Sequence, residues 1–286
     1  MLRNKISACV ILYNPDECVI GNIESYVGYV QKLFIIDNGN GESVIDNLVD
    51  KYYNIYPIYH KENMGIAYSL NEVLRLVNGE YDLLMTMDQD SRFCDGCMEA
   101  FLKEISKFNW NETMGIGPKT VDIDTPFDGN AKWHETETLN TSGNIISVKN
   151  AIKIGMFDES LFIDEVDREF NYRSTINDFK NFVAENGIYL KHRIGEPLKK
   201  FIIFKNFECQ NHNYIRKYYI FRNRLYVYKK YHKINEKYFF KYYIKYSLYM
   251  FLRIVIIEND KIRKLRYCIK GIYDAIYNNM GRLSEK

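Results

Sequence analysis

The sequence predicts an α/β fold in which an open, mostly parallel, doubly wound sheet precedes a C-terminal helical region. The first observation is that strand-like and helix-like segments alternate through the first 90 residues. The second is a break in composition near residue 200, beyond which basic residues and tyrosines dominate. With 286 residues and 47% apolar content, the chain is long enough for one large α/β domain and an appendage.

Four strand-like and three helix-like segments follow one another from the start of the chain. The strand-like segments are short, β-rich apolar runs that end in turn-forming or polar residues. The helix-like segments place apolar residues three or four positions apart, as Val19, Ile23 and Val27 do. The predicted strands are 5–14, 32–38, 55–60 and 81–87, and the predicted helices are 16–30, 42–51 and 65–77. This alternation is typical of strand–helix–strand units, which form parallel sheets.

The predicted strands end in polar residues that a parallel sheet brings to one edge. Ligands of open α/β sheets bind in the crevice outside the carboxyl ends of the strands. The polar residues expected there are Asn14, Asp37, Asn38, His60, Asn63, Asp88 and Asp90. The sequence has no GxGxxG after the first strand and no GxxxxGK[ST], which disfavours Rossmann-type dinucleotide binding and P-loop chemistry.

The stretch 114–150 is less regular than the beginning of the chain, and its segment 122–130 is expected to be a mobile loop. Ser142-Gly143 precedes a strand-like run at 144–148, and a short helix is expected to end near Gly155. Acidic residues then crowd what we expect to be the first turns of a helix, where carboxylates suit the helix dipole. These acids are Asp164, Glu165, Asp167 and Glu169.

The charge of the chain changes sign along its length. Residues 1–198 carry 18 basic and 31 acidic residues, whereas residues 199–286 carry 21 basic and 6 acidic residues and 14 of the 25 tyrosines. We therefore expect one domain at 1–200 and a basic, tyrosine-rich region of two to four amphipathic helices at 201–286. The six scattered cysteines form no disulfide framework, and no signal peptide or membrane-spanning segment is visible. A cytoplasmic location is therefore expected.

Six segments, in this order, resemble the motifs of family 2 glycosyltransferases of the GT-A fold. They are VILYNP (10–15), IIDNGN (35–40), ENMGIAYSLN (62–71), MDQDS (87–91), TSGNIIS (141–147) and FDESLFIDEVDREFNYR (157–173). The resemblance covers residues 5–230 and is greatest to bacterial rhamnosyltransferase-like members that build surface polysaccharides such as capsule and O-antigen. It implies a nucleotide-sugar donor and a divalent metal, Mn²⁺ or Mg²⁺.

The resemblance implies a metal site at Asp88, Asp90 and His192. Asp88-Gln89-Asp90 lies where the family carries its DxD motif, so Asp90 is expected to bind the metal and Asp88 the ribose or the metal through water. His192 follows the family's catalytic position, Asp167, at the spacing of a histidine that completes the metal site in related enzymes. Hard cations prefer oxygen ligands and neutralise phosphate charge, and a nitrogen ligand favours Mn²⁺. Without the other motifs, two acids after a strand would be ordinary turn residues.

The resemblance also implies a nucleotide site around Tyr13, Asn14 and Asp37. Asp37 lies where similar enzymes bind the base or ribose, and Tyr13 and Asn14 would line the same pocket. Asn63 and Gly65 belong to a stretch that approaches the diphosphate in the family, and glycine permits a close backbone approach. Each residue also has an ordinary role as a strand-end turn or helix cap, most clearly Asn63.

Asp167 matches the family's catalytic aspartate. An inverting transfer needs a carboxylate that takes the proton from the acceptor hydroxyl as it attacks the anomeric carbon. Family members often carry two adjacent acids at this position, where this chain has Val166-Asp167. Asp164 and Glu165 are nearby alternatives for the base. Residues expected near the acceptor or the donor sugar are Ser142, Gly143, His134, Asp164, Glu165, Glu169 and Arg173. A surface ion pair is an equal alternative for Arg173.

Three interpretations of the basic C-terminal region compete. Its helices could pack on the catalytic domain or on a second subunit, as in a homo-oligomer. They could also attach the protein peripherally to anionic lipid on the inner face of the plasma membrane. Nucleic-acid binding ranks last because no known nucleic-acid-binding motif appears, so we expect no nucleic-acid partner.

The motifs together predict an inverting, metal-dependent glycosyltransferase that acts on a growing, lipid-linked bacterial polysaccharide. The first expectation for the donor is dTDP-rhamnose, and UDP-galactofuranose or a UDP-hexose are alternatives. A non-catalytic nucleotide- or glycan-binding module is the alternative from another class. A nucleotidyltransferase would carry a Gly-rich basic loop after its first strand, where this chain has YNPDE (13–17).

Overall fold

The computed structural model describes residues 4–192, 198–202, 205–209 and 211–284. The chain divides into two compact units, and we describe each by itself. One unit consists of Met1–Asp158 and Val166–Arg193, and the other of Glu159–Glu165 and Ile194–Lys286. The boundary expected near residue 200 lies inside the first strand of the second unit, Leu198–Ile202.

The first unit is built around an eight-stranded sheet with the strand order β3-β2-β1-β4-β9-β6-β10-β8. A smaller sheet has the order β5-β11-β7. In chain order the strands are β1 Ile6–Leu12, β2 Lys32–Asp37, β3 Ile55–Tyr59, β4 Leu83–Asp88, β5 Ser91–Phe93, β6 Thr113–Gly117, β7 Lys119–Val121, β8 Lys132–Thr136, β9 Asn144–Ser147, β10 Lys180–Asn186 and β11 Tyr189–His192.

The half of the sheet formed by β3, β2, β1 and β4 is entirely parallel, as the alternating pattern predicted. The other half is mixed, because β9 pairs antiparallel with both β4 and β6, and β8 pairs antiparallel with β10. Ala8, Val10 and Leu12 of β1 join a core cluster that also contains Val19 and Ile23 of the first helix. The sequences of strands that are covered on both faces are continuous apolar runs. For this reason β1, β2 and β4 could be predicted from the sequence.

Helices connect the strands of the first unit. They are α1 Cys18–Glu24, α2 Glu42–Val49, α3 Ile66–Val77, α4 Cys97–Glu104, α5 Val148–Lys153 and α6 Val166–Ile176, with short 3₁₀ turns at Val27–Tyr29 and Ile105–Lys107. The single helix predicted at 16–30 is wrong, since α1 ends at Glu24. There the Ser25 and Tyr26 N–H groups bond three residues back, and the Ser25 hydroxyl donates to the Asn22 carbonyl. These contacts tighten the last turn and end the helix.

The stretch 114–150, which we expected to be less regular, contains β7, β8, β9 and most of β6. The strand-like run at 144–148 is confirmed as β9, and α5 ends at Lys153, close to the predicted end at Gly155. β6 and β8 pair with β10, which lies about 65 residues beyond β6 and about 50 beyond β8. Such pairing is not visible in local sequence patterns, because strand propensity depends strongly on context.

The second unit is mainly helical, as its composition predicted. Its elements are the antiparallel hairpin of β12 Leu198–Ile202 and β13 Lys205–Cys209, then α7 Tyr214–Tyr231, α8 Glu236–Phe239, a π-helical segment Phe240–Lys245, α9 Tyr246–Ile256 and α10 Lys261–Ile276. Gly271 of α10 lies so close to α7 that a Cβ there would be 2.5 Å from the Tyr218 carbonyl oxygen. In the part of the chain that the structure describes, no helix has the length and apolar character needed to cross a membrane.

A buried charge triad ties three segments of the second unit together. Glu258, just after α9, accepts hydrogen bonds from Lys217 of α7 at 2.6 Å and from Lys264 of α10 at 2.8 Å. All three residues are buried. Burial by itself favours the neutral acid, but the two ammonium groups prevail and hold the pKa of Glu258 below its ordinary value.

Glu258→Gln is therefore expected to destabilise the second unit by about 3–5 kcal/mol, because it leaves two buried ammonium groups without their counter-ion. Since the folded pKa is depressed, this contribution exists at neutral pH and is lost as the pH falls through the ordinary value of 4.5 and below. Urea unfolding followed at several pH values measures both effects. Glu236→Gln, at an exposed position of α8, is the control, and a Glu258→Gln loss below about 1 kcal/mol would contradict the assignment.

Candidate active site

The carboxyl ends of β1, β2, β3 and β4 meet at one edge of the sheet, as the sequence predicted. In the parallel register Leu12 lies beside Asp37, and Ile11 lies beside Asp88. Asn38 and His60 follow the ends of β2 and β3. They are hydrogen-bonded, with 2.6 Å between Asn38 Oδ1 and His60 Nδ1. The polar strand ends are therefore in contact rather than merely on the same side.

Asp88, Asp90 and His192 form a cluster at this edge. Asp88 ends β4, and His192 ends β11, which pairs antiparallel with β5 so that His192 lies opposite Ser91. His192 Nδ1 lies 2.8 Å from the Ser91 hydroxyl and 3.4 Å from Asp90 Oδ1. One potential ligand atom from each of the three residues lies within 4.8 Å of the others.

The chemistry of these potential ligand atoms fits a divalent cation. Two carboxylates supply the oxygen ligands that Mg²⁺ and Mn²⁺ prefer, and the imidazole adds a nitrogen ligand. Asp90 is exposed, while Asp88 and His192 are partly buried, so the cluster is open to a ligand. Burial and, secondarily, the negative charge of Asp88 raise the pKa of the Cys9 thiol. Burial likewise raises the pKa of the Tyr26 hydroxyl, and Cys9 and Asp88 raise it further. The Cys9 thiol and the Tyr26 hydroxyl therefore stay neutral at pH 7.

Gln89, the middle residue of the motif, has a structural role that sequence analysis missed. Its side chain accepts from the Tyr13 N–H at 2.8 Å and donates to the Tyr13 carbonyl at 3.1 Å. Its own carbonyl accepts from the Asn22 side chain at 2.8 Å. Gln89 therefore fixes the motif to the end of β1 and to α1. Its position between two acids was the only local signal, and it does not reveal these partners.

Tyr13, Asn14 and Asp37 lie together at the ends of β1 and β2. The Asn14 N–H donates to the Gly39 carbonyl at 2.8 Å, and Asn14 has a left-handed φ of 46°. Asp37 Oδ1 accepts from the Gly39 and Gly41 N–H groups at 2.7 and 3.0 Å, which shapes the turn after β2. The Tyr13 side chain is exposed beside this turn, so it is available to a planar ligand.

Asn63 and Gly65 form the entry to α3. The Asn63 side chain accepts from the Gly65 N–H at 2.9 Å, an Asx turn. Gly65 precedes the first residue of α3 with a φ of 85°, a conformation that favours glycine. The turn role that the sequence allowed for Asn63 is therefore present, and it places backbone N–H groups of the start of α3 at the same sheet edge.

A cavity of about 510 Å³ lies next to the acid cluster. The link between them is Ser142, which lines the cavity and whose hydroxyl accepts from the Asp88 N–H at 3.2 Å. His134 lines the cavity from β8, near Glu185, whose carboxylate lies 3.4 Å from His134 Nδ1. Gly143 has a φ of 76°, and a Cβ there would be 2.7 Å from Pro118, another lining residue. Ser142 and His134, two of the residues expected near the acceptor or the donor sugar, therefore line the same cavity.

Asp167 is the second residue of α6 and is partly buried. Its Oδ1 accepts from the Arg168 N–H at 2.8 Å. Four residues later on the same helix face, Asn171 donates to the carbonyl of Leu139, which lines the cavity, at 2.8 Å. This contact anchors the middle of α6 to the loop that also carries Ser142.

Glu169 and Arg173 do not support the expectation that they contact an acceptor. Glu169 is 0% exposed, and Arg173 bonds to both of its carboxylate oxygens, at 3.0 and 2.8 Å. Arg173 also donates to the carbonyls of Ile154 and Met156. A carboxylate with no exposed surface and a bidentate partner is a structural element. The ion pair that was the equal alternative for Arg173 is present, but Glu169 has no exposed surface and the Arg173 side chain is only 14% exposed, so the pair is largely enclosed.

Asp164 and Glu165 are not in the first turns of α6 as predicted, because that helix begins at Val166. Both have left-handed φ values, 64° and 65°, and they belong to the second unit. Glu165 is buried and pairs with Arg224 at 2.9 Å, and Arg216 lies 3.3 Å from Asp164. The Asn223 side chain donates to the Ile163 and Asp164 carbonyls and holds this strained backbone. A buried, ion-paired Glu165 is a poor general base.

Comparisons with known proteins place the chain in one family and support its fold. The profile of the family "Glycosyl transferase family 2" matches residues 7–169. A curated protein, "dTDP-rhamnosyl transferase RfbF" of Shigella flexneri, is 25% identical over 248 residues, which cover 78% of this chain and 79% of that protein.

Two solved structures have similar folds at 12% identity, each over 96% of this chain. "GalNAc-T7 with UDP, GalNAc and Mn2+" superposes with a TM-score of 0.62, and this chain spans 57% of its length. Residues 1–349 of TarS from S. aureus superpose with a TM-score of 0.60 over 82% of that chain. At this identity the likeness concerns the fold alone, and it confirms the GT-A α/β prediction.

Proposed function

The chain belongs to glycosyl transferase family 2 and is a glycosyltransferase. From this premise we propose the reaction that it catalyses. The proposed reaction is an inverting, metal-dependent transfer of a sugar from a nucleotide donor to a hydroxyl of a growing, lipid-linked bacterial polysaccharide. We assign catalysis to residues 1–200 and a supporting role to the helical region at 201–286. The proposed location is the cytoplasm, at the inner face of the plasma membrane.

One observation carries this proposal. The cluster of Asp88, Asp90 and His192 lies beside a cavity of about 510 Å³, and Ser142, which lines the cavity, accepts a hydrogen bond from the Asp88 N–H. A site that holds a charged diphosphate beside a space of sugar dimensions is what transfer from a nucleotide sugar requires. The Mn²⁺ and UDP of the GalNAc-T7 structure support the same arrangement here.

The residues have the following proposed roles. Asp90 and His192 would hold the divalent cation, and Asp88 would contact that cation through water or bind the ribose. When bound, the cation would neutralise the charge that develops on the departing diphosphate. Tyr13, Asn14 and Asp37 bind the base and ribose, and the start of α3 at Asn63 and Gly65 faces the diphosphate, where helix N–H groups favour anions.

Asp167 is the proposed general base. Its carboxylate accepts the proton of the acceptor hydroxyl while the hydroxyl oxygen forms a bond to the anomeric carbon. The bond from that carbon to the phosphate oxygen breaks, and the nucleoside diphosphate leaves with the electron pair. The attack on one face and departure from the other invert the anomeric configuration. Ser142, Gly143 and His134 are proposed to contact the transferred sugar or the acceptor in the cavity.

The proposed donor is dTDP-rhamnose, supported by the rhamnosyl transferase relative at 25% identity. UDP-galactofuranose and UDP-hexoses are the alternatives within the same fold. A non-catalytic binding module is disfavoured, because the three potential metal ligands converge and Asp167 is present at the family's catalytic position.

A panel of nucleotide sugars tests the proposal. We expect one dTDP- or UDP-linked sugar to be hydrolysed slowly with Mn²⁺ or Mg²⁺ present and to raise the melting temperature of the protein, and dTDP-rhamnose is the first candidate. With EDTA both effects should disappear. If no nucleotide sugar stabilises the protein or is turned over with either metal, the proposed donor chemistry is wrong.

A further inference from the structure

The helix α9 exposes a continuous apolar surface. Seven residues on its outer side and in the preceding π-helical segment form a patch that we call the α9 stripe. They are Tyr242, Tyr246, Leu248, Tyr249, Leu252, Val255 and Ile256. Each is between 43% and 62% exposed, and their spacing along the chain follows one side of a helix. Contiguous exposed apolar patches on a protein mark interaction surfaces.

The opposite side of α9 already has its partners. Ile254 is 0% exposed in a core cluster with Phe221 and Cys268, and Phe251 packs against Phe221 with ring centroids 6.3 Å apart. The α9 stripe is therefore not needed to attach the helix to its own unit. A helix that is apolar on all sides is normally enclosed or in contact with lipid.

Four lysines lie before and within the first part of the stripe, on the same stretch of chain. Lys233, Lys237, Lys241 and Lys245 are all exposed and follow one another at intervals of four residues. Glu236 is the single acidic residue between 233 and 256. Lys245 lies about one helical turn before Leu248, and Lys241 about two turns before it, so the cationic and apolar parts form one surface.

We propose that the α9 stripe is a membrane-docking surface that lies on a bilayer containing anionic lipid. Apolar side chains would enter the acyl boundary, tyrosines would lie at the headgroup level, and the lysines would meet lipid phosphates. At 11 residues α9 is about 16 Å long, far less than the ~30 Å hydrocarbon core, so it would lie along the surface. This inference is independent of the proposed reaction.

Charge complementarity favours lipid over a second copy of the chain. A second copy would bring the same four lysines to the contact, and residues 233–256 offer only Glu236 to pair with them. An anionic bilayer satisfies the lysines and the apolar side chains together. Each lysine near such a surface strengthens binding about fivefold, the equivalent of about 1 kcal/mol.

Flotation of the full chain with vesicles tests the proposal. We expect the protein to float with vesicles of phosphatidylcholine and phosphatidylglycerol at low salt, and much less with phosphatidylcholine alone. Leu248→Ser with Leu252→Ser should reduce binding at least about tenfold, because two exposed leucines no longer enter the bilayer. Lys241→Gln with Lys245→Gln should reduce it about 25-fold on anionic vesicles only.

Matched controls are available on the first unit. Ile123→Ser removes an apolar side chain that is 73% exposed, and Lys103→Gln with Lys107→Gln removes two exposed lysines four residues apart. Neither control should change flotation. If a stripe variant is unstable, hydrogen exchange of the unmodified protein gives the same information, since residues 241–256 should gain protection when anionic vesicles are added.

Three results would overturn the proposal. One is the absence of flotation with anionic vesicles at low salt. Another is flotation that the stripe variants leave unchanged, which would place the lipid contact elsewhere. The third is a concentration-dependent dimer in sedimentation that Leu248→Ser with Leu252→Ser dissociates while vesicle binding is absent, which would make a second copy the occupant.

Discussion

Asp90→Asn is expected to lower kcat/KM for the nucleotide sugar by a factor on the order of 10³, because in the proposed mechanism it would remove one charged ligand from the cation that neutralises the leaving diphosphate. The substitution keeps the size of the side chain. Asp90 is exposed and shares its cluster with Asp88, so the loss of its charge should not destabilise the fold. Steady-state kinetics at saturating Mn²⁺, together with the Mn²⁺ concentration needed for half-maximal activity, measure the effect.

Asp95→Asn is the matched control for this experiment, since Asp95 is an exposed acid five residues further along the same segment. It should leave both the activity and the metal requirement unchanged. An Asp90→Asn enzyme with the original requirement for Mn²⁺ would show that Asp90 is not a ligand, and that the cluster merely ends β4.

Asp167→Asn is expected to reduce transfer by about 10²–10⁴-fold while the affinity for the donor changes by less than about twofold. The amide cannot accept the proton of the acceptor hydroxyl, but it preserves the shape of the first turn of α6. Rapid-quench measurement of transfer and equilibrium titration of the donor separate the two quantities.

The control for this variant is Asp178→Asn, an exposed residue just after the other end of α6. Its φ is 63°, and asparagine tolerates that left-handed conformation as well as aspartate does. If Asp167→Asn loses donor binding instead of transfer, Asp167 belongs to the nucleotide site. If the transfer rate of Asp167→Asn is unchanged, another acid is the general base.

The parallel half of the sheet was predictable because local patterns determine it. β1, β2 and β4 are buried runs of apolar residues, and each ends in turn residues that mark its carboxyl end. Once the strands are parallel, the meeting of their polar ends follows from topology. The contact between Asn38 and His60 is a consequence of that arrangement, whereas Ser142 reaches Asp88 because β9 runs antiparallel to β4.

The parts that sequence analysis missed depend on residues distant along the chain. The resemblance implied His192 at the metal site, but its contact with Ser91 was not expected, because it depends on the pairing of β11 with β5 across about 100 residues. Cavity-lining residues come from β8 and β10, whose pairing also has no local signature. In each case the partner, not the strand's own sequence, decides the geometry.

The environments of the acids around the start of α6 also depend on residues distant along the chain. Asp164, Glu165, Asp167 and Glu169 have the same chemistry in the sequence, yet the structure gives them different environments. Arg224 and Asn223, nearly 60 residues away, fix Glu165 and the left-handed backbone beside it. Glu169 is enclosed with Arg173, four residues on, a spacing that reveals a pair but not its burial. Asp167 is left as the partly buried acid at the start of the helix.

Calorimetric titration of dTDP and UDP into the unmodified protein, with and without Mn²⁺, tests the central claim most directly. We expect one nucleotide to bind at least about tenfold more tightly with Mn²⁺, and this gain to vanish in Asp90→Asn. Equal affinity with and without metal for both nucleotides would contradict a metal-dependent nucleotide-sugar site at Asp88, Asp90 and His192.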